Sequence, residues 1–224
     1  MGGSTRLSGH WPVSWIMTYQ VEVIDLAKLP PGNKVLTQQE QVYYDTLRVP
    51  KRRTEWLGGR FALKRLLSKT EQVDVKQVEI LPTVDGKPMV TVRGKTYAGA
   101  FSITHSHGFA VAALDTQADY IGIDLEKVEH RIDAWKTGFF HPDELTGSGD
   151  EFLTALWTQK EAVVKLLGTG LSLNSFDVRC VQGKVQFYGA ALEVYHQLGC
   201  PQISLSTTSL LPGFMFSVAQ GQFS

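Results

Sequence analysis

Three carboxylates, Asp124, Glu126 and Glu161, are the side chains of this 224-residue chain whose types and spacing best fit chemistry. In Ile121-Gly122-Ile123-Asp124-Leu125-Glu126 the apolar period is two. The segment therefore reads as a strand with Ile123 and Leu125 on one face and Asp124 and Glu126 together on the other. Neighbouring carboxylates repel, and a cation between them relieves the repulsion; a solvated strand face is the plainer alternative. Glu161 falls in a helical segment, Glu151 to Leu167, where Leu153, Leu156, Trp157, Val163, Val164 and Leu167 form one apolar arc. Lys160 lies near the middle of that arc and Glu161 at its edge, where charge is costly unless paired or liganded. Lys165, four residues on, offers Glu161 an ordinary helix-surface ion pair. Lys160 either snorkels or faces a polar cleft. Acidic oxygen donors without thiolates or paired histidines suit a hard cation such as magnesium, which phosphates help to coordinate, better than zinc.

Cations that would receive those phosphates lie earlier. On a helix beginning near Arg53, the residues Arg53, Arg60 and Lys64 fall within about 40° of one another as a basic stripe, while Trp56, Leu63, Leu66 and Leu67 supply an apolar one. Such a stripe is either a solvated face or, because arginine binds phosphate through two donors, an anion grip. Gly86-Lys87-Pro88 presents one lysine on a stiffened turn. His105 ends the strand Phe101–His105 on the side of Phe101 and Ile103. It is either a satisfied core residue or, held at a cleft rim by the turn Ser106-His107-Gly108, a donor to phosphate.

The elements that must position these groups read as strands at Val21–Leu26, Gln77–Leu81, Pro88–Arg93, Ala100–His105 and Phe109–Leu114, with one main helix, Arg53–Ser68. The polar Asp115–Asp119 reads as a linker. The second half repeats the plan: a strand Tyr120–Glu126, a helical region around Ile132–Phe140, the helix Glu151–Leu167, and strands near Ser175–Cys180, Lys184–Tyr188, Gln202–Thr207 and Gly213–Ala219. Helices and strands do not alternate strictly, so the class is α+β. Twenty-two basic and 22 acidic residues cancel, which argues against non-specific nucleic-acid binding. No run approaches the ~20 apolar residues of a membrane span, so no membrane partner is expected and the cytoplasm is the expected address. Residues 1–16 read as an extension, disordered or vector-derived, with the natural start at Met17. Cys180 and Cys200 lack metal spacing and read as reduced, buried thiols.

From about Arg53 to Asp177 the chain resembles the 4′-phosphopantetheinyl transferases of the larger, Sfp type. The matching stretches are Gly86-Lys87-Pro88, FSITHSHG (Phe101–Gly108), IGIDLE (Ile121–Glu126), FFHPDEL (Phe139–Leu145), WTQKEAVVKLLGTGLSL (Trp157–Leu173) and Ser175-Phe176. G-I-D-x-E followed by W-x-x-K-E-A-x-x-K is the specific signature. Thr104 stands where serine is commoner, His107 is an unusual choice, and the first fifty residues show no match.

The resemblance implies two similar lobes related by a pseudo-two-fold, each a small, mainly antiparallel sheet packed on a long helix. The lobes would span residues 17–115 and 120–220, with coenzyme A in the cleft between them. It implies that Asp124, Glu126 and Glu161 ligand Mg2+, or Mn2+ in its place, and that Lys160 and Lys165 hold phosphates. Lys87, Pro88, His105 and a basic residue of the first helix, Arg60 ahead of Arg53, would grip the 3′-phosphate and adenine end. The implied reaction moves phosphopantetheine to a serine of an apo acyl or peptidyl carrier protein and releases 3′,5′-ADP. Glu161 would be the base, directly or through a metal-bound water, with Glu126 assisting and Lys165 serving the leaving group. Of Phe139 and Phe140, one would be buried and one offered to the carrier, near Arg131 and Lys136. A complete site within one chain implies a monomer. The alternatives are a catalytically idle module that binds coenzyme A or carrier, and a metal-dependent phosphohydrolase.

Overall fold

The structure, a computed structural model, describes residues 19–84, 86–169 and 173–223. The expected N-terminal extension, the Met17 start and Asp85 of the Gly86-Lys87 turn lie outside the described residues.

The first half runs β1 (Tyr19–Asp25), α1 (Gly32–Val35), α2 (Gln38–Thr46), the long α3 (Pro50–Glu71), β2 (Val78–Pro82), β3 (Pro88–Val92), β4 (Lys95–Thr96), β5 (Ala100–Ser106) and β6 (Phe109–Asp115). The second runs β7 (Tyr120–Lys127), α4 (Asp133–Phe139), α5 (Asp150–Leu167), β8 (Val178–Val181), β9 (Lys184–Phe187), α6 (Gly189–Gln197), β10 (Gln202–Thr208) and β11 (Phe214–Gln222). Two antiparallel three-stranded sheets result, ordered β1-β6-β5 and β7-β11-β10. In each half the last strand is central, flanked by the first and the penultimate, and a long helix and a hairpin intervene. The repeated plan is the two-lobed α+β fold that the sequence led us to expect.

Several local readings differ. α3 starts at Pro50, because proline at the first helical position has its φ preset and needs no N–H partner. α2 begins at a Thr37–Glu40 capping box, and α6 carries Ala, Leu and Glu, all good helix formers. Neither helix was anticipated. Ser175–Asp177 is a 3-10 turn leading into β8. Asp115–Asp119 is no slack linker: Asp115 is buried and accepts from the backbone of Gln117 and Ala118 and from Gln220 Nε2 at 2.6 Å. Cys180 is buried, which pushes its thiol up to about 12, whereas Cys200 is exposed.

Each lobe buries a Lys–Glu pair beneath its long helix. Lys64 Nζ of α3, wholly buried, donates to Glu40 Oε2 and to the Val35 carbonyl at 2.9 Å. Glu40 also accepts from Thr37 N and from Ile80 N of β2. In the second lobe Lys160 Nζ of α5 donates to both oxygens of the buried Glu144, at 2.9 and 2.7 Å. Glu144 likewise accepts from His141 N and from Cys180 N of β8. Each carboxylate thus ties a capping turn, a helix and a hairpin strand together, and burial without the pairing would be prohibitive.

Alternation on β7 places Ile121, Ile123 and Leu125 in a core shared with Val111 and Ala113 of β6 and Phe214, Phe216 and Val218 of β11. Gly122, on the other face, lies against α5: a Cβ there would stand 2.0 Å from the Ala162 carbonyl oxygen and 2.4 Å from Leu166 N. Only glycine permits this approach, and it brings Asp124 and Glu126 close to α5. The lobes are joined along β5 and β7 by three buried hydroxyls. Ser102 Oγ accepts from Ile123 N at 3.1 Å, Thr104 Oγ1 donates to Asp124 Oδ1 at 2.9 Å, and Ser106 Oγ donates to Glu126 Oε2 at 3.1 Å.

Candidate active site

Asp124 and Glu126 of β7 and Glu161 of α5 lie near enough at this seam to act on one another's charge. Lys165 Nζ bridges the lobes, donating to Asp124 Oδ1 at 2.7 Å and Thr104 Oγ1 at 2.9 Å. Burial, reinforced by Asp124 and Glu126 against the pull of Lys165, raises the Glu161 carboxyl to about 6. Burial and then Asp124 also raise Glu126, opposed by the Ser106 hydrogen bond, Arg131 and His107. Excess negative charge is therefore concentrated here beyond what one lysine neutralises.

These residues fit a divalent cation by donor chemistry. Asp124 Oδ2 is buried with no hydrogen-bond partner, and all the donors are hard oxygens, the set that magnesium or manganese takes. Among the described residues no three such groups are already drawn up around one point at liganding distance.

Beside the carboxylates lies a cavity of about 480 Å³ lined by Val49, Lys51, Arg52, Glu55, Trp56, Arg60, Ile103 and His105. His105, half-exposed, stands 3.7 Å from Glu55 Oε1. Burial lowers its pKa, Glu55 and Asp124 oppose, and Lys165 adds to the lowering, so cavity and carboxylates share one field. Arg60 lies 4.0 Å over the Trp56 ring. Burial lowers Arg60 to about 10, still cationic at neutral pH. Arg60 Nε and Trp56 Nε1 are buried donors without partners, so this is a basic, aromatic-walled hollow suited to a nucleotide phosphate.

Four sequence expectations need correction or relocation. Arg53 turns away from the cavity, donating to Leu47 O at 3.0 Å and covering Tyr44 at 4.0 Å. Lys64 is no part of a basic stripe, being buried on Glu40. Lys160, 1% exposed and bonded twice to Glu144, has no surface to offer a phosphate. Lys87 does not line the cavity: its Nζ stands 3.3 Å from where a Cβ on Gly168, the cap of α5, would sit. Pro88 opens β3 opposite Pro82. Lys51, Arg52 and Glu55 were missed because the helix start was read three residues late; with Pro50 as first residue, Arg52, Trp56 and Arg60 fall at intervals of four. Phe140 is buried, while Phe139 is half-buried between Trp135 and Trp157, at 5.7 and 5.1 Å.

Residues 41–115 match the family model for the 4′-phosphopantetheinyl transferase N-terminal domain, and residues 120–196 match that of the 4′-phosphopantetheinyl transferase superfamily. A holo-[acyl-carrier-protein] synthase of Lactobacillus delbrueckii subsp. bulgaricus is 37% identical over 106 residues, covering 42% of this chain and 77% of that protein. The chain belongs to the 4′-phosphopantetheinyl transferase superfamily. Within this superfamily, the transferase Sfp of Bacillus subtilis is 31% identical over 135 residues, 56% of this chain and 58% of that protein. A solved holo-(acyl-carrier-protein) synthase from Bacillus anthracis, in complex with CoA (3′,5′-ADP), aligns at 26% identity and TM-score 0.38, covering 45% of this chain and 96% of that one. Among the described residues no helix is long and apolar enough to cross a membrane.

Proposed function

We propose that this chain transfers the 4′-phosphopantetheine group of coenzyme A to a serine of an apo acyl or peptidyl carrier protein, releasing 3′,5′-ADP. The observation that carries this reading is the juxtaposition of the Asp124–Glu126–Glu161–Lys165 cluster with the cationic cavity of Arg52, Arg60 and His105. The lobes are residues 17–115 and 120–220, with coenzyme A lying between them, its 3′-phosphate end toward the cavity.

Asp124, Glu126 and Glu161 would hold Mg2+, or Mn2+ in its place, which when bound supplies charge neutralisation for the pyrophosphate. Lys51, Arg52, Arg60 and His105 bind and orient the nucleotide end. Glu161, a carboxylate at neutral pH, takes the proton of the carrier serine, directly or through a water. The serine oxygen attacks the phosphorus that bears pantetheine. The bond from that phosphorus to the bridging oxygen breaks, and 3′,5′-ADP leaves with the electron pair. Lys165 neutralises the leaving phosphate or gives it a proton. Phe139, with Arg131 and Lys136, faces the acidic carrier, and the chain works as a monomer in the cytoplasm.

Release of 3′,5′-ADP that requires coenzyme A and an apo carrier together is the expected result. Phosphate release from simple esters without a carrier would point instead to a phosphohydrolase.

A further inference from the structure

His107 adopts φ +43°, a left-handed conformation that favours glycine or asparagine. Its ring offsets that cost through two contacts. Nδ1 lies 2.9 Å from Ser106 Oγ and Nε2 lies 3.2 Å from Glu129 Oε1. Ser106 Oγ in turn lies 3.1 Å from Glu126 Oε2. A continuous chain, Glu129–His107–Ser106–Glu126, thus runs from the surface to a carboxylate of the site. Lys127, 3.5 Å from Glu129 Oε1, braces its outer end, and the edge of the Phe214 ring fixes the imidazole from the side.

Donor counting gives this chain a direction. A serine hydroxyl has one proton, and an ionised carboxylate only accepts. With its single proton given to Glu126, Ser106 Oγ meets His107 Nδ1 as an acceptor, and Glu129 Oε1 holds the ring from its other nitrogen. Were Nδ1 bare, it would draw the Ser106 proton to itself and leave Glu126 Oε2 without its donor. We propose that His107, braced by Glu129, is a positioning residue that aims the Ser106 hydroxyl at Glu126 and so holds that carboxylate in its cation-binding pose. This rests on reading Asp124, Glu126 and Glu161 as the cation site. It adds to that reading a support outside the ligand set, of the kind that orients ligands and tunes affinity in metal sites.

The test is Mn2+ binding to the full chain with coenzyme A present, followed by the loss of the free-ion EPR signal. The variants are Ser106→Ala, His107→Gly, His107→Asn and the double variant Ser106→Ala/His107→Gly. Glycine suits the backbone at 107, and the asparagine amide stands where Nδ1 stood. Ser106→Ala and His107→Gly should each weaken Mn2+ about tenfold, the double variant no more than either alone, and His107→Asn should retain most of the affinity. Multiplying losses in the double variant, or a His107→Gly affinity within twofold of wild type, would overturn the relay. If the wild type itself takes up no Mn2+, or Asp124→Ala does not abolish uptake, the cation reading fails and the relay falls with it, distinguishable by that control.

Discussion

Replacing Glu161 by glutamine should stabilise the folded chain while destroying its activity. The carboxyl is half-buried, its ordinary value is 4.5, and burial plus Asp124 and Glu126 lift it to about 6 despite Lys165. At 1.36 kcal/mol per pH unit, the interval from 4.5 to about 6 makes ionised Glu161 a burden of about 2 kcal/mol on the metal-free fold. Because the folded value is raised, the penalty is absent below pH 4.5, where the group is neutral folded or unfolded, and grows as pH rises through 6. Glutamine keeps the shape and never ionises. Urea denaturation of the metal-free protein at pH 8 should therefore show Glu161→Gln about 1–2 kcal/mol more stable than wild type, with the gain shrinking toward pH 5. Manganese with coenzyme A should stabilise wild type and not the variant. Equal stabilities at pH 8, or a gain that grows on acidification, would refute the electrostatic reasoning.

Other substitutions separate the groups that build the site from those that touch substrate. Lys160→Ala strands Glu144 in the core and should cost about 3–5 kcal/mol by denaturant titration, with the KM for coenzyme A in the remaining folded enzyme unchanged. Arg60→Ala and Arg52→Ala should each raise that KM about tenfold, the worth of a charged hydrogen bond, whereas Arg53→Ala should change it less than twofold; steady-state kinetics decides. Gly122→Ala drives a methyl into the α5 backbone and should cost roughly 3 kcal/mol or more, seen as a fall in Tm.

The acidic half of the site was legible because each carboxylate sits on a regular element: period two on β7 and an apolar arc on α5 fix where Asp124, Glu126 and Glu161 point. The cationic half was legible only in part. Arg60 and His105, both named from the sequence, do line the cavity, but a helix start read three residues late at Arg53 left out Lys51 and Arg52, and the proline at position 50 was the signal that would have added them. Lys64 and Lys160 misled for a deeper reason. Their partners, Glu40 and Glu144, lie on separate elements 24 and 16 residues away, so neither the basic stripe that held Lys64 nor the apolar arc that held Lys160 could name them. The seam hydroxyls Ser102, Thr104 and Ser106 follow strand alternation. That they face β7 depends on how the two sheets meet, which no local pattern encodes.

The most direct test of the account is to incubate the purified chain with coenzyme A, magnesium and an apo carrier protein, then weigh the carrier by mass spectrometry. The account predicts a gain of one phosphopantetheine on a serine, lost on chelation of the metal and in Asp124→Ala. A carrier that gains no mass, although the chain binds coenzyme A, would contradict the transferase reading and leave an idle binding module in its place.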